Sequence, residues 1–274
     1  MTVARQYWKL LPSLWLALCP ACDGCSKDAP KPPNASPALN SGEFVAPGAD
    51  GYGKAAGLRF LEVIKGAATP TDTLPLAVFL HGYGEGINDV WLDQVDVPMR
   101  VVMFESPRTF KGHFTWMYSP IGPGTSDWLA HTVKVAGEEV AQALRVLTAH
   151  RPTQGRVILA GFSQGSVVAF YVTTYHPELV HGAAPIAGLL PKPLWPQSLP
   201  GTGPWPPIKA IHGALDTTVL TATARESVDH LAKLGQPATI HVYEGIAHKL
   251  TPAMRREMQA AVNGFARELH NQAP

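Results

Sequence analysis

At 274 residues the chain is long enough for one large domain with a substantial core and short for two domains with their linkers. Its 22 basic and 21 acidic side chains leave a formal charge of +1, so there is no basic surplus to grip a phosphate backbone and nucleic acid is not an expected partner. All three cysteines, Cys19, Cys22 and Cys25, crowd near the N-terminus, which excludes a disulfide, a Cys-ligated zinc and a Cys nucleophile from the rest of the chain.

Arg5 and Lys9 precede an apolar run from Leu10 to Leu18, broken by Pro12 and Ser13. The run falls short of the ~20 apolar residues that span a bilayer, so residues 1–22 are expected to be an export signal. Cys22, preceded by Ala21, resembles the lipidated cysteine of a bacterial lipoprotein signal. Cys25 after Gly24 is the second choice; plain secretion and an untargeted apolar helix are the alternatives. A lipid there would attach the chain to a membrane of the cell envelope. Residues 23–48 carry Pro30, Pro32, Pro33, Pro37 and Pro47 among polar residues, and are expected to form a disordered linker to a domain spanning 49–274.

Beyond the linker, short apolar runs alternate with helical patterns. Strands are expected at Leu58–Ile64, Leu76–Leu80, Val101–Phe104, Val157–Ala160, Ala183–Ala187, Ile208–Ile211 and Thr239–Tyr243. An irregular loop should fill Ser106 to Asp127. Val133, Ala136, Val140, Leu144 and Leu147 recur at helical spacing, and further helices are expected after Ser163, near Ala222–Leu234 and over Pro252–Leu269. Strands without internal alternation, separated by helices, imply an α/β fold: a mostly parallel central sheet with helices on both faces. Ligand sites in such sheets form outside the C-terminal ends of the strands.

One such end carries Gly161-Phe162-Ser163-Gln164-Gly165, a G-x-S-x-G between a strand and a helix. A serine pushed clear of a sheet on a turn this tight needs flanking residues without a Cβ, which marks Ser163 as a candidate nucleophile. Its plainer role would be to cap the next helix. A hydroxyl needs a positioned base. Among 11 histidines, His248 stands just past the last strand and ahead of the final helix, whereas His212 reads as a packing residue before Gly213. Asp216, in the loop after the strand ending at His212, is the candidate acid that orients His248; the plainer reading starts a helix there. The backbone N–H groups of Gln164 and of Tyr83, in His81-Gly82-Tyr83-Gly84, are candidate oxyanion donors. Trp116, Met117 and Tyr118 on one loop, and Trp195 and Trp205 on another, are expected to wall a substrate pocket, with core packing as the alternative.

Together with Pro185–Pro191, Gly245–His248 and His212–Asp216, these segments resemble the phospholipase/carboxylesterase family, which includes acyl-protein thioesterases, over roughly Pro75 to Phe265. The resemblance implies an α/β-hydrolase fold, a Ser163–Asp216–His248 triad, Tyr83 and Gln164 as oxyanion donors, a small-molecule ester as substrate, and no metal or cofactor. Ser166 and Tyr83 depart from the family's usual Gly and Leu. An exported protein would also be badly located for a cytosolic deacylase. The expectation is therefore a serine carboxylesterase for esters or thioesters of short-to-medium acyl chains. An exported polyester or aryl-ester depolymerase, or a non-catalytic surface-anchored binding module, are the alternatives.

Overall fold

A computed structural model describes residues 42–88, 95–117 and 127–272. These all belong to one unit, Ser36–Pro274; the other unit, Met1–Ala35, lies outside them, as do the expected export signal, Cys22 and Tyr118. No described helix is long and apolar enough to cross a membrane.

Among the described residues nine strands form one sheet, in the order β1-β2-β3-β5-β4-β8-β9-β10-β11. The first three, β1 (Phe44–Val45), β2 (Tyr52–Ala55) and β3 (Leu58–Lys65), are antiparallel, and β3 pairs antiparallel with β5 (Met99–Phe104). From β5 onward every neighbour is parallel: β4 (Leu76–Leu80), β8 (Val157–Phe162), β9 (Val180–Ile186), β10 (Ile208–Gly213) and β11 (Ala238–Tyr243).

The central strands are unbroken apolar runs because both their faces are covered. Along β4, Leu76, Val78 and Leu80 enter one core with α1 (Asp127–His150), α2 (Gln164–Tyr175) and α3 (Thr221–Lys233). Ala77 and Phe79 enter a second core on the opposite face, with α4 (Pro252–Asn271). Helix α1 buries the stripe Val133, Ala136, Val140, Leu144 and Leu147, as its periodicity requires. Helix α2 has no such stripe, because it is enclosed by the sheet and α1 and is buried from Gln164 to Thr174.

Two expectations are corrected. The linker does not run unstructured to Gly48: Phe44 and Val45 pair with Ala55 and Lys54, and Phe44 stacks 4.5 Å from the ring of His150. The loop after Ser106 is not wholly irregular either. It contains a hairpin, β6 (Thr109–Phe110) and β7 (His113–Phe114), which turns through Lys111 and Gly112 at φ of 52° and 79°.

Chain connection places the site. β5 lies on one side of β4 and β8 on the other, so the strand order reverses between β4 and β8. A crevice opens where the chain leaves neighbouring parallel strands in opposite directions.

Two glycines test how tightly the layers are packed. A Cβ on Gly137 of α1 would overlap the ring of Tyr171 in α2, coming within 2.7 Å of Cε1. That ring cannot swing aside, because its hydroxyl donates to Glu138 at 2.8 Å and its face stacks on Tyr175 at 4.8 Å. Gly264 in α4 has nothing within 4 Å of the same position. Alanine gains about 1 kcal/mol of helix propensity at either site, but overpacking costs roughly 1–3 kcal/mol. Gly137→Ala should therefore lower the urea midpoint and Gly264→Ala raise it.

Candidate active site

β8 passes into α2 through Ser163, whose φ of 52° and ψ of −117° are strained for a residue with a side chain. The turn is held by Ser163 N–H donating to Ile186 O at 3.0 Å and by Val167 N–H donating to Ser163 O at 3.1 Å. Both flanking glycines are sterically required. A Cβ on Gly161 would lie 2.7 Å from the Gly165 carbonyl carbon, and one on Gly165 would lie 2.6 Å from His81 O and collide with Leu80 O. Ser163 makes no side-chain cap to α2. Its Oγ instead lies 2.9 Å from Nε2 of His248.

His248 follows β11, and its ring stacks on Phe162 at 5.4 Å. Its Nδ1 is 2.7 Å from Oδ2 of Asp216. An ionised carboxylate can only accept, so Nδ1 carries the proton and the Nε2 lone pair faces the Ser163 hydroxyl. Asp216 is 4% exposed and fully hydrogen-bonded. Oδ1 accepts the N–H groups of Thr218 and Val219, each at 2.9 Å, while Oδ2 also lies 3.3 Å from Nε2 of His212. Burial pushes this carboxyl's pKa up, but hydrogen bonds from His212, His248 and Val219 and the electrostatic pull of His248 outweigh it and hold Asp216 well below the usual carboxylate range. Asp216 does not cap α3, whose N-cap position is Leu220.

His212 is the residue the sequence reasoning missed. It is buried at 1% exposure, and its Nε2–H is shared between Val219 O at 2.8 Å and Asp216. Its spacing of four residues before Asp216, across a turn, was the available signal.

The loop after β4 faces the elbow. A Cβ on Gly82 would lie 3.0 Å from Cδ1 of Phe162 and 3.5 Å from Cβ of Ser163. Gly84, at φ 81°, donates its N–H to Phe114 O at 2.9 Å, tying the loop to β7. The Tyr83 side chain is 45% exposed with its ring 6.0 Å from that of His113, and its N–H meets no acceptor among the described residues. The N–H of Gln164 opens α2, where no preceding helical turn can accept it. The Gln164 side chain is a clamp: Oε1 accepts from Thr115 Oγ1 and Trp116 N–H, both at 3.0 Å, and Nε2 donates to Met117 O at 3.3 Å.

The aromatic pocket residues are not where they were expected. Trp116 and Met117 are 1% and 2% exposed and belong to the core. The Trp116 indole N–H is used up on His81 O at 2.9 Å, so it supports the loop from beneath. Trp195 follows a short 3-10 turn at Lys192–Leu194, donates its indole N–H to Leu190 O at 2.8 Å and stacks on His230 at 4.6 Å. Its side chain also packs against the core shared by α1, α2 and α3. Among the described residues no group of three His, Cys, Asp or Glu side chains gathers as a metal site.

Fold and site together define an α/β hydrolase of the serine-hydrolase class. The chain belongs to the phospholipase/carboxylesterase family, whose model matches residues 60–266. It is similar to the crystal structure of esterase PE8, at 25% identity and a TM-score of 0.59, over 75% of this chain and 99% of that one. The folds of Zea mays acyl-protein thioesterase 2 (19% identity, TM-score 0.59, 75% and 98% covered) and the Bacillus cereus carboxylesterase (16%, 0.58, 75% and 94%) are also similar. The protein is thus a hydrolase of the carboxylesterase or thioesterase type.

Burial of His81 pushes its pKa down to about 4, against a smaller opposing pull from the Gly82 carbonyl. The unfolded imidazole titrates near 6.5, so His81 favours the folded state fully above pH 6.5 and loses that preference as pH falls toward 4. Urea unfolding should show wild type losing roughly 2–3 kcal/mol more than His81→Asn between pH 7 and 4.5.

Proposed function

We propose that this enzyme hydrolyses carboxylic esters or thioesters of short-to-medium acyl chains through an acyl-enzyme on Ser163. The observation that carries this reading is the continuous hydrogen-bond chain from Asp216 through His248 to Ser163 Oγ.

In this mechanism Ser163 Oγ attacks the acyl carbonyl while His248 Nε2 takes the hydroxyl proton, a contribution of about 10²–10⁴-fold. Asp216 stays ionised, keeps the proton of the neutral imidazole on Nδ1, and stabilises the imidazolium that forms. The carbonyl oxygen, now an anion, is received by the N–H groups of Tyr83 and Gln164. His248 returns the proton to the leaving alcohol or thiol. Water then attacks the acyl-enzyme by the same route and frees the acid.

Among the described residues neither the β6–β7 hairpin nor the segment 188–207 is a separate lid domain. A site without such a lid suits acyl groups that do not need deep enclosure. On the same reading, residues 1–22 export the enzyme and Cys22 carries a lipid. Metabolic labelling with an azido fatty acid should mark wild type and leave Cys22→Ser unmarked.

The test is turnover of p-nitrophenyl esters of graded chain length. Wild type should hydrolyse the shorter ones and bind a fluorophosphonate at Ser163, whereas Ser163→Ala should do neither. Asp216→Asn should lower kcat by about 10⁴-fold, because an amide favours the wrong imidazole tautomer. An active Ser163→Ala variant would overturn the assignment.

A further inference from the structure

Space at Gly82 is tight: a Cβ there would stand 3.0 Å from the aromatic ring of Phe162. A glycine backbone is also the freest to turn. If the Gly82–Tyr83 peptide rotated, the Tyr83 N–H would leave the site and a carbonyl oxygen would face it instead. The loop therefore needs an outside restraint on this peptide, and two side chains with no part in the acyl-transfer steps supply one.

The Gly82 N–H donates to Oε2 of Glu85 at 3.0 Å. The Gly82 carbonyl lies 2.7 Å from Nδ1 of His81 and accepts the Glu85 N–H at 3.3 Å. His81 Nε2 lies 3.0 Å from the Ser106 N–H, which can only donate, so the His81 proton sits on Nδ1 and points at the Gly82 carbonyl. The His81 ring is backed by Trp116 at 5.1 Å. Both peptide groups of Gly82 are thereby held. A trans peptide is planar, with N–H opposite C=O, so drawing the Gly82 carbonyl toward His81 turns the Tyr83 N–H the other way. That N–H meets no acceptor among the described residues. Burial pushes the Glu85 carboxyl up in pKa, while the Gly82 N–H and His248 pull it down.

We propose that Glu85, acting with His81, is a positioning residue that presets the Tyr83 N–H as an oxyanion donor by clamping both sides of Gly82. The proposal rests on the reading of Tyr83 as a donor. It extends that reading to a carboxylate that never touches substrate, and it makes Glu85 a hydrogen-bond acceptor first and a charge second.

The experiment compares wild type, Glu85→Gln, Glu85→Ala and His81→Asn as full chains, with p-nitrophenyl butyrate as substrate and butylboronic acid as the tetrahedral mimic. Gln keeps an oxygen for the Gly82 N–H without the charge; Asn at 81 keeps a donor close to the place of Nδ1; Ala removes the clamp. Glu85→Ala should lose up to roughly 10²-fold in kcat with KM little changed, the scale set by loss of one oxyanion donor. Its boronate Ki should rise by the same factor as kcat/KM falls. Glu85→Gln and His81→Asn should keep most of kcat. Full activity in Glu85→Ala, or an equal loss in Glu85→Gln, would overturn the clamp, the second because charge on His248 would then be the cause. If Glu85→Ala unfolds at the assay temperature, kcat and the boronate Ki of all four proteins are compared at a lower temperature where it stays folded. Failure of wild type to turn over or take the fluorophosphonate would instead overturn the reading of the site.

Discussion

The site depends first on the close approach of the backbone of Gly165, at the start of α2, to the carbonyls of Leu80 and His81, at the end of β4, where a Cβ would collide with main chain. Neither partner can give, because both are main chain. The contact forces the strand β8 to turn into α2 within one residue, and that residue is Ser163, at positive φ. It also brings the loop after β4 against the serine, so the nucleophile and the nearest candidate oxyanion donor are located by a single packing event. Strain at Ser163 persists because the surrounding sheet, through Leu80, Ile186 and Gly161, leaves no other path.

Around this point three buried polar side chains, Asp216, His81 and Gln164, find hydrogen-bond partners for their polar atoms. Asp216 keeps its charge at 4% exposure because two backbone N–H groups and two imidazoles meet its oxygens. His81 takes the other solution: it stays neutral, donating from one nitrogen and accepting at the other. Gln164 contributes twice, with its N–H at the helix start and its side chain fastening residues 115–117 to the elbow. The site is therefore rigid from below, through Trp116 and the core, while its upper rim carries exposed side chains such as Tyr83 and Phe110.

Much of this was legible in the chain itself. The strands β4 and β8 read as unbroken apolar runs because a strand buried on both faces has no polar side to show, and α1 read from its stripe because it has one. The G-x-S-x-G spacing, the strand ends and the chain order pointed to Ser163, Asp216 and His248 because each lies within a few residues of a recognisable strand end. The strand Phe44–Val45 was hidden by its Pro-rich neighbours, since two residues have no period. Trp116 and Met117 read equally well as pocket or core, because aromatic content says nothing about which side of a loop faces water.

The sequence by itself determined the fold class and the identity of the three side chains that meet at the elbow, because these follow from local periodicity and from residue types at strand ends, and its motifs carried the resemblance to the family. Only the tertiary structure decided the partners of His212, Glu85, His81 and Trp116. Their roles depend on which hydrogen-bonding atoms face each other across distant segments, such as His81 with Ser106 or Trp116 with Gln164. Those directions are set by packing between elements, which no spacing along one strand or helix encodes.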